Sequence, residues 1–167
     1  SSRKVSLSTW QFEQHQGSIR LGNNVLICPG SRIDSASMVE IKDNCMMAAG
    51  TYITDADWHD LYDRTKAIGN TTPVTLEENV WLGDSSIVCK GVTIGKNSVI
   101  GAGSVVASNI PENVIAAGNP ATIIKDLDPE KELVTRDKIF ADIESLNRTN
   151  RTIDRYALGN NSLLGWL

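Results

Sequence analysis

One histidine in the middle of the chain stands among carboxylates and aromatic side chains, a combination typical of proton-transfer chemistry. His59 lies between Asp57 and Asp60 and directly follows Trp58. A neutral imidazole near pH 7 is the side chain best suited to act as a general base. A nearby carboxylate can orient the ring, and we expect Asp57 to do so, with Asp55 and Asp60 as alternatives. The sequence therefore favours a catalytic general base at His59 over a loop histidine that only forms hydrogen bonds.

Other catalytic chemistries have weaker support in the sequence. The second histidine, His15, lies in a polar run at 14–16 and is expected to be structural or solvent-facing. A catalytic zinc ion needs three His, Cys or carboxylate ligands at close quarters, and the sequence holds no such local cluster, so we predict no metal site. None of the three cysteines stands in a nucleophile context, which disfavours an acyl-enzyme intermediate.

Composition and charge limit the partners and the location of the protein. The chain has 167 residues and a net charge of −4, so it has no global basic field that would attract nucleic acid. Cys28, Cys45 and Cys89 are odd in number and lack CxxC spacing. We interpret them as small hydrophobic residues in a reducing cytosol, and we predict a cytoplasmic protein without a nucleic-acid partner.

A ladder of aliphatic residues with a period of six must position this chemistry. A small or β-branched residue follows most anchors by four positions, and neither a helix nor an alternating strand explains a strict period of six. Such a short repeat indicates an all-β solenoid, a parallel β-helix built in two blocks, 21–54 and 76–111. The anchors are Leu21, Ile27 and Ile33, then Ile41, Met47 and Ile53, and finally Leu76, Leu82, Val88, Ile94, Ile100 and Val106.

The period breaks between the two blocks, in the segment 55–75 that contains His59. Solenoids accommodate insertions as loops that leave the column, often on the binding face, so we predict a protruding active-site loop here. Residues 1–20 are less regular, and we expect a strand there to cap the open end of the column. Trp81 is too large for a narrow column and is predicted to point outward.

The composition changes after residue 127, which we take as the boundary between a β-helical domain, 1–127, and a helical extension, 128–167. A helix is predicted from Pro129, with Ile139 and Ile143 on one face, and a short second helix near 152–158. The apolar end at 163–167 is expected to dock on this subunit or on a neighbouring one. Membrane contact through this end is the alternative, and the lack of nearby positive charge counts against it.

Three segments together resemble the hexapeptide-repeat acyltransferases, nearest to the maltose and galactoside O-acetyltransferase branch. The segments are DADWHDLYDR at 55–64, NVWLGDSSIVCKGVTIGKNSVIGAGSVV at 79–106 and PENVIAAGNPATIIK at 111–125. The resemblance covers about 19–127. It implies a left-handed parallel β-helix, a homotrimer, acetyl-CoA as co-substrate in a cleft between neighbouring coils, and His59 as the base that deprotonates the acceptor.

The resemblance also implies cofactor-binding positions, and at some other positions this sequence differs from the pattern of that branch. Trp81 corresponds to a residue that lines the cleft, the backbone of Ala102 to one that contacts the pantetheine arm, and Lys125 to a basic position near the CoA phosphates. That branch carries an Asn across the acceptor site, one coil before the loop, where this chain has Pro29 or its neighbours, and it carries basic residues near the CoA phosphates where this chain has Ser108 and Thr122. We therefore expect an O-acetyltransferase for a saccharide or similar hydroxyl acceptor that is neither maltose nor a simple galactoside. The alternatives are an N-acyltransferase for an amino sugar or nucleotide sugar, and a non-catalytic scaffold.

Overall fold

The computed structural model describes residues 4–158, and the chain divides into two compact units, Ser1–Glu132 and Leu133–Leu167. The first unit is made of short strands. In chain order these are β1 (Ser6–Thr9), β2 (Gln11–Phe12), β3 (His15–Gln16), β4 (Ser18–Leu21), β5 (Leu26–Ile27), β6 (Arg32–Ser35), β7 (Met38–Ile41), β8 (Met46–Met47), β9 (Tyr52–Thr54), β10 (Val74–Leu76), β11 (Trp81–Leu82), β12 (Ile87–Val88), β13 (Thr93–Ile94), β14 (Val99–Ile100), β15 (Val105–Val106), β16 (Val114–Gly118) and β17 (Ala121–Asp126).

Fifteen of the described strands form three sheets that the chain visits in turn, and β2 and β3 form a separate antiparallel pair. Sheet 1 has the order β1-β6-β9-β12-β15, sheet 2 the order β13-β10-β7-β4, and sheet 3 the order β17-β16-β14-β11-β8-β5. Pairing within each sheet is parallel except for β17, which runs antiparallel to β16. Because each strand pairs with the equivalent strand of the next coil, the fold is a parallel β-helix, as the period of six predicts.

The column interior confirms most of the predicted ladder. Ten of the anchors are fully buried, and serine, threonine, cysteine or valine fills the predicted small positions between them. The buried anchors are Ile33, Ile41, Met47, Ile53, Leu76, Leu82, Val88, Ile94, Ile100 and Val106. The prediction that Leu21 lies in the core is wrong, since this residue is 44% exposed. It lies on β4, the edge of sheet 2, where no further coil covers it.

Asparagines line the corner between sheets 2 and 3. They adopt the left-handed conformation, with φ between 57° and 63°, which asparagine tolerates better than most residues. Their amides also bond between coils: Nδ2 of Asn79 donates to Oδ1 of Asn97 at 3.1 Å, and Nδ2 of Asn97 donates to Oδ1 of Asn113 at 2.7 Å. This ladder satisfies corner side chains without charge.

The second unit contains α1 (Asp137–Ala141) and α2 (Ile143–Leu158). The predicted helix start at Pro129 is wrong, because Asp128 closes a turn instead: its Oδ1 accepts from the N–H of Glu130 at 3.1 Å. The predicted short second helix is the last part of α2. The apolar end at 163–167 lies outside the described residues. No helix within residues 4–158 is long and apolar enough to cross a membrane.

Candidate active site

The loop that carries His59 leaves the column at the corner between sheets 1 and 2, between β9 and β10. Its two arms pair with each other at the base. Ala56 and Thr71 form an antiparallel bridge, the N–H of Asp57 donates to the carbonyl of Asn70 at 2.9 Å, and the N–H of Gly69 donates to the carbonyl of Asp57 at 2.8 Å. These contacts hold the stem of the loop as a narrow hairpin.

The imidazole of His59 is exposed, and the loop backbone orients it. Nδ1 lies 3.1 Å from the carbonyl oxygen of Lys66. A carbonyl oxygen can only accept, so Nδ1 carries the proton in this contact and the lone pair of the neutral ring is on Nε2. The ring therefore has the tautomer that a general base at Nε2 requires.

The three neighbouring aspartates have partners other than the His59 ring. Oδ1 of Asp57 pairs with Nζ of Lys90 at 2.9 Å. The contact that orients the His59 ring, which we expected from Asp57, is made by the Lys66 carbonyl. Asp60 accepts the N–H groups of residues 62 and 63 at 2.9 Å, and these bonds lower the pKa of its carboxyl group. Asp55 is fully buried and bonds within the corner at 35–37.

A cavity of about 420 Å³ opens beside the His59 ring. Residues from three successive turns of the chain line it, and most of them are aromatic or aliphatic. The lining residues are Trp10, Phe12, Arg32, Asp34, Trp58, His59, Ala67 and Ile68. A concave apolar site with a few convergent polar groups is the usual form of a small-molecule site.

The polar wall of the cavity is an ion pair between Arg32 and Asp34. The Arg32 guanidinium donates from Nε and from a terminal nitrogen to Oδ2 of Asp34, and this bonding raises the pKa of Arg32. The Asp34 side chain is 7% exposed and that of Arg32 is 55% exposed. Arg32 also lies over the Tyr52 ring at 4.5 Å, and the Tyr52 hydroxyl accepts from Nε1 of Trp58 at 3.0 Å.

The aromatic wall joins the N-terminal segment to the loop. The rings of Trp10 and Trp58 lie 5.5 Å apart at an angle of 50°. Trp10 follows β1, the strand that caps sheet 1 as predicted, and the β2–β3 hairpin then leaves the same corner as the His59 loop. Sequence reasoning expected only a cap here and missed that the segment lines the cavity. His15, in this hairpin, is buried and does not face solvent.

The predicted cofactor-binding residues lie away from the His59 cavity, on sheet 3. Trp81 is 47% exposed and points outward as predicted. Trp81 pairs across the sheet with Val99, Val99 with Ile115, and Ile115 with Lys125. Lys125 is therefore three strands from Trp81, about 14 Å at the usual strand spacing. Ala102 is exposed just after β14 of the same sheet. None of these three residues lines the cavity.

Comparisons with known proteins agree with this architecture. Residues 73–108 match the model of the family described as bacterial transferase hexapeptide (six repeats). A galactoside O-acetyltransferase of Escherichia coli is 35% identical over 129 residues, covering 75% of this chain and 63% of the relative. The chain spans about half to two thirds of the curated relatives it matches, from 46% to 63% in three of them.

Solved structures give the same result. A maltose O-acetyltransferase from Clostridium difficile has a TM-score of 0.57 at 33% identity, covering 75% of this chain and 67% of the other. A galactoside acetyltransferase in complex with coenzyme A has a TM-score of 0.64 at 32% identity, covering 75% and 65%. The repeat, the parallel β-helix and these relatives together show that the chain belongs to the hexapeptide-repeat acyltransferase family, alongside the maltose and galactoside O-acetyltransferases.

Proposed function

We propose that the protein transfers an acetyl group from acetyl-CoA to a hydroxyl of a saccharide, with His59 as the general base. The observation that carries the proposal is the His59 ring beside the cavity, held through Nδ1 by the Lys66 carbonyl so that Nε2 can accept a proton. The aromatic lining supports a sugar ring as acceptor, because the apolar face of a pyranose packs well on aromatic side chains.

The proposed reaction is a direct transfer. Nε2 of His59 takes the proton of the acceptor hydroxyl while that oxygen bonds to the thioester carbonyl carbon. The tetrahedral intermediate collapses, the carbon–sulfur bond breaks, and the coenzyme A thiolate takes the proton from His59. The products are an acetyl ester and coenzyme A, and the imidazole returns to its neutral form.

The donor is assigned to the outer face of sheet 3. Trp81 and Lys125 are exposed there, and Ala102 is exposed in the corner that follows β14. An extended chain with a phosphate end could contact an aromatic ring, backbone groups and an ammonium group at these positions. Solved relatives that bind coenzyme A or acetyl-CoA support this donor: the galactoside acetyltransferase, and a hexapeptide-repeat acetyltransferase from Vibrio cholerae at 28% identity with a TM-score of 0.63.

A homotrimer of left-handed β-helices would bring the donor surface of one subunit near the His59 cavity of the next. The outward-facing rows of sheets 2 and 3 support an assembly of this kind. The outward row on sheet 3 is apolar and consists of Leu26, Met46, Trp81, Val99 and Ile115. The outward row on sheet 2 is polar and consists of Arg20, Glu40, Thr75 and Thr93. An apolar row across five coils is the kind of surface that a neighbouring subunit covers.

The test is a release assay for the coenzyme A thiol with a panel of saccharides, comparing the wild type with His59→Ala. We expect turnover to fall about 10²- to 10⁴-fold, the range typical of a lost general base. Light scattering should show that the variant keeps the assembly of the wild type. An unchanged rate would refute the role of His59. A product that resists mild alkali would be an amide and would indicate the alternative, an N-acyltransferase. If calorimetry detected no binding of acetyl-CoA, the result would indicate a non-catalytic scaffold.

A further inference from the structure

The exposed charge in the wall of the His59 cavity is the Arg32 guanidinium. The side chain of its partner, Asp34, is only 7% exposed, whereas the Arg32 side chain is 55% exposed. Among the described residues that line the cavity, Arg32 is the single lysine or arginine. The pair is neutral as a whole, but its carboxylate is covered and its guanidinium is open. A molecule that enters the cavity therefore meets a cation.

The Arg32 guanidinium has more hydrogen-bond donors than its partners use. It carries five N–H groups, and one carboxylate takes two of them. Oδ2 of Asp34 accepts from Nε and Nη2, and Nη2 also lies 3.3 Å from the Tyr52 hydroxyl, a long distance for such a bond. Within residues 4–158, Nη1 has no hydrogen-bond partner. The edge formed by Nη1 and Nη2 is therefore open to a second carboxylate.

Contacts between neighbouring coils hold this guanidinium in place. Its Cζ lies 4.5 Å from the centre of the Tyr52 ring, a cation–π distance, and the two residues are paired between β6 and β9. The Tyr52 hydroxyl in turn accepts at 3.0 Å from Nε1 of Trp58, the residue that precedes His59. A donor that is already held loses less side-chain freedom when it binds, so the arrangement favours recognition of an anion.

We propose that the acceptor is an acidic sugar, and that its carboxylate binds the open edge of the Arg32 guanidinium while one of its hydroxyls faces Nε2 of His59. The proposal rests on the proposed function and adds the charge of the acceptor. Charge-assisted hydrogen bonds are about twice as strong as neutral ones, and a neutral sugar can accept only the weaker kind of bond from the same donors. Arg32 lies outside the three segments that carry the family resemblance, so this role belongs to a residue of this chain and not to those motifs.

The test compares acceptors that differ in charge alone. Methyl uronides carry the carboxylate on the last carbon, and methyl ketosides of 2-ulosonic acids carry it on the first carbon and keep a terminal hydroxyl. Each acid is assayed against its own carboxamide, which has nearly the same shape, with acetyl-CoA as donor and neutral methyl pyranosides as reference. We expect the best acid to exceed its amide by at least about tenfold in kcat/KM, equivalent to ~1.4 kcal/mol.

The outcomes separate this proposal from the proposed function. Turnover of the amides that equals that of the acids, or turnover of the neutral pyranosides alone, would overturn the acidic acceptor and leave the proposed acetyl transfer intact. Turnover of none of the sugars would overturn both.

Variants of the ion pair separate recognition from a structural role. Arg32→Gln should reduce the ratio of kcat/KM for the acid over that for its amide to about one, whereas Asp34→Asn keeps the guanidinium and should keep or raise this ratio. An equal loss toward acid and amide in Arg32→Gln would refute recognition by Arg32. Arg151→Gln, at an exposed position of α2, is the matched control and should retain the ratio of the wild type.

A double variant guards against misfolding, because Arg32→Gln alone leaves the nearly buried Asp34 carboxylate without its partner. Arg32→Gln combined with Asp34→Asn removes both charges and keeps similar shapes, and here too the acid should lose its advantage over the amide. A rise in KM for acetyl-CoA with an unchanged ratio would assign the guanidinium to the donor and overturn the proposal.

Discussion

The buried carboxylate of Asp55 connects the column to the active-site loop, so its removal should have a large effect. Asp55 is the first residue after β9 and is fully buried. Its two oxygens accept from the N–H of Ala36 at 2.8 Å, the N–H of Ser37 at 2.9 Å and the hydroxyl of Ser35 at 2.6 Å. The perturbation is Asp55→Ala, with Asp55→Asn as the conservative variant.

The magnitude depends on which donors lose their partner. The Ser35 hydroxyl has an alternative acceptor, the carbonyl of Ser18 at 2.9 Å, so it need not remain unpaired. The N–H groups of Ala36 and Ser37 lose theirs, and each buried unsatisfied group costs about 1–3 kcal/mol. We therefore expect Asp55→Ala to lower the free energy of unfolding by about 2–6 kcal/mol, a large part of the ~5–15 kcal/mol of an ordinary domain. Asp55→Asn keeps one good acceptor and should cost about half as much.

The assay is urea unfolding followed by circular dichroism, at one fixed protein concentration because the proposed association would also stabilise the folded state. The matched control is Asp60→Ala, which removes a carboxylate that also accepts two backbone N–H groups but lies at the surface of the loop. We expect the order Asp55→Ala, Asp55→Asn, Asp60→Ala, from the largest loss to the smallest. Equal losses for Asp55→Ala and Asp60→Ala would refute the reasoning from burial.

Three further predictions concern other single side chains. Burial raises the pKa of the Cys45 thiol from 9.0 to about 11, so the thiol ionises at lower pH in the unfolded state than in the folded state. The folded state should therefore lose stability as the pH rises from 9 toward 11. In urea unfolding, this loss in the free energy of unfolding should be ~1–2 kcal/mol smaller for Cys45→Ala than for the wild type. A Cβ at Gly69 would lie 2.6 Å from the carbonyl oxygen of His59, so Gly69→Ala should lower kcat more than it changes either KM, as steady-state kinetics would show. If the Lys90–Asp57 ion pair only fixes the loop stem, Lys90→Ala and Asp57→Ala should reduce kcat by the same factor. A larger effect of Asp57→Ala, with a changed pH–rate profile, would indicate that Asp57 acts directly on the His59 ring.

The fold could be predicted from sequence because the column repeats one simple constraint. Each anchor must fill the same interior, so a strict period of six is visible without any structure. The constraint fails where the repeat has no neighbour, which is why Leu21 is exposed on an edge strand. It also says nothing about residues beyond the column, where Asp128 closes a turn at the place where the composition predicts a helix.

The cavity could have been predicted in part. Arg32 and Tyr52 are equivalent positions of neighbouring coils, separated by twenty residues. Counting back one coil from β9, the strand that precedes the loop, therefore reaches Arg32 and Asp34, both outside the motifs that mark the family. The contribution of Trp10 could not be read from any period, because it depends on a hairpin that leaves the column at the corner shared with the loop.

The support for His59 could not be predicted from side chains, since a backbone carbonyl provides it. Chemistry along the chain points to the neighbouring carboxylates, yet Asp55, Asp57 and Asp60 hold the corner, the stem and the surface turn of the loop. The Lys66 carbonyl fixes the tautomer of the ring without bringing a charge to it. Its position depends on the return arm of the loop and on the close approach of Gly69 to the His59 backbone. The geometry of the base is therefore a property of the loop conformation, and substitutions that leave this conformation intact should leave the orientation of the ring intact as well.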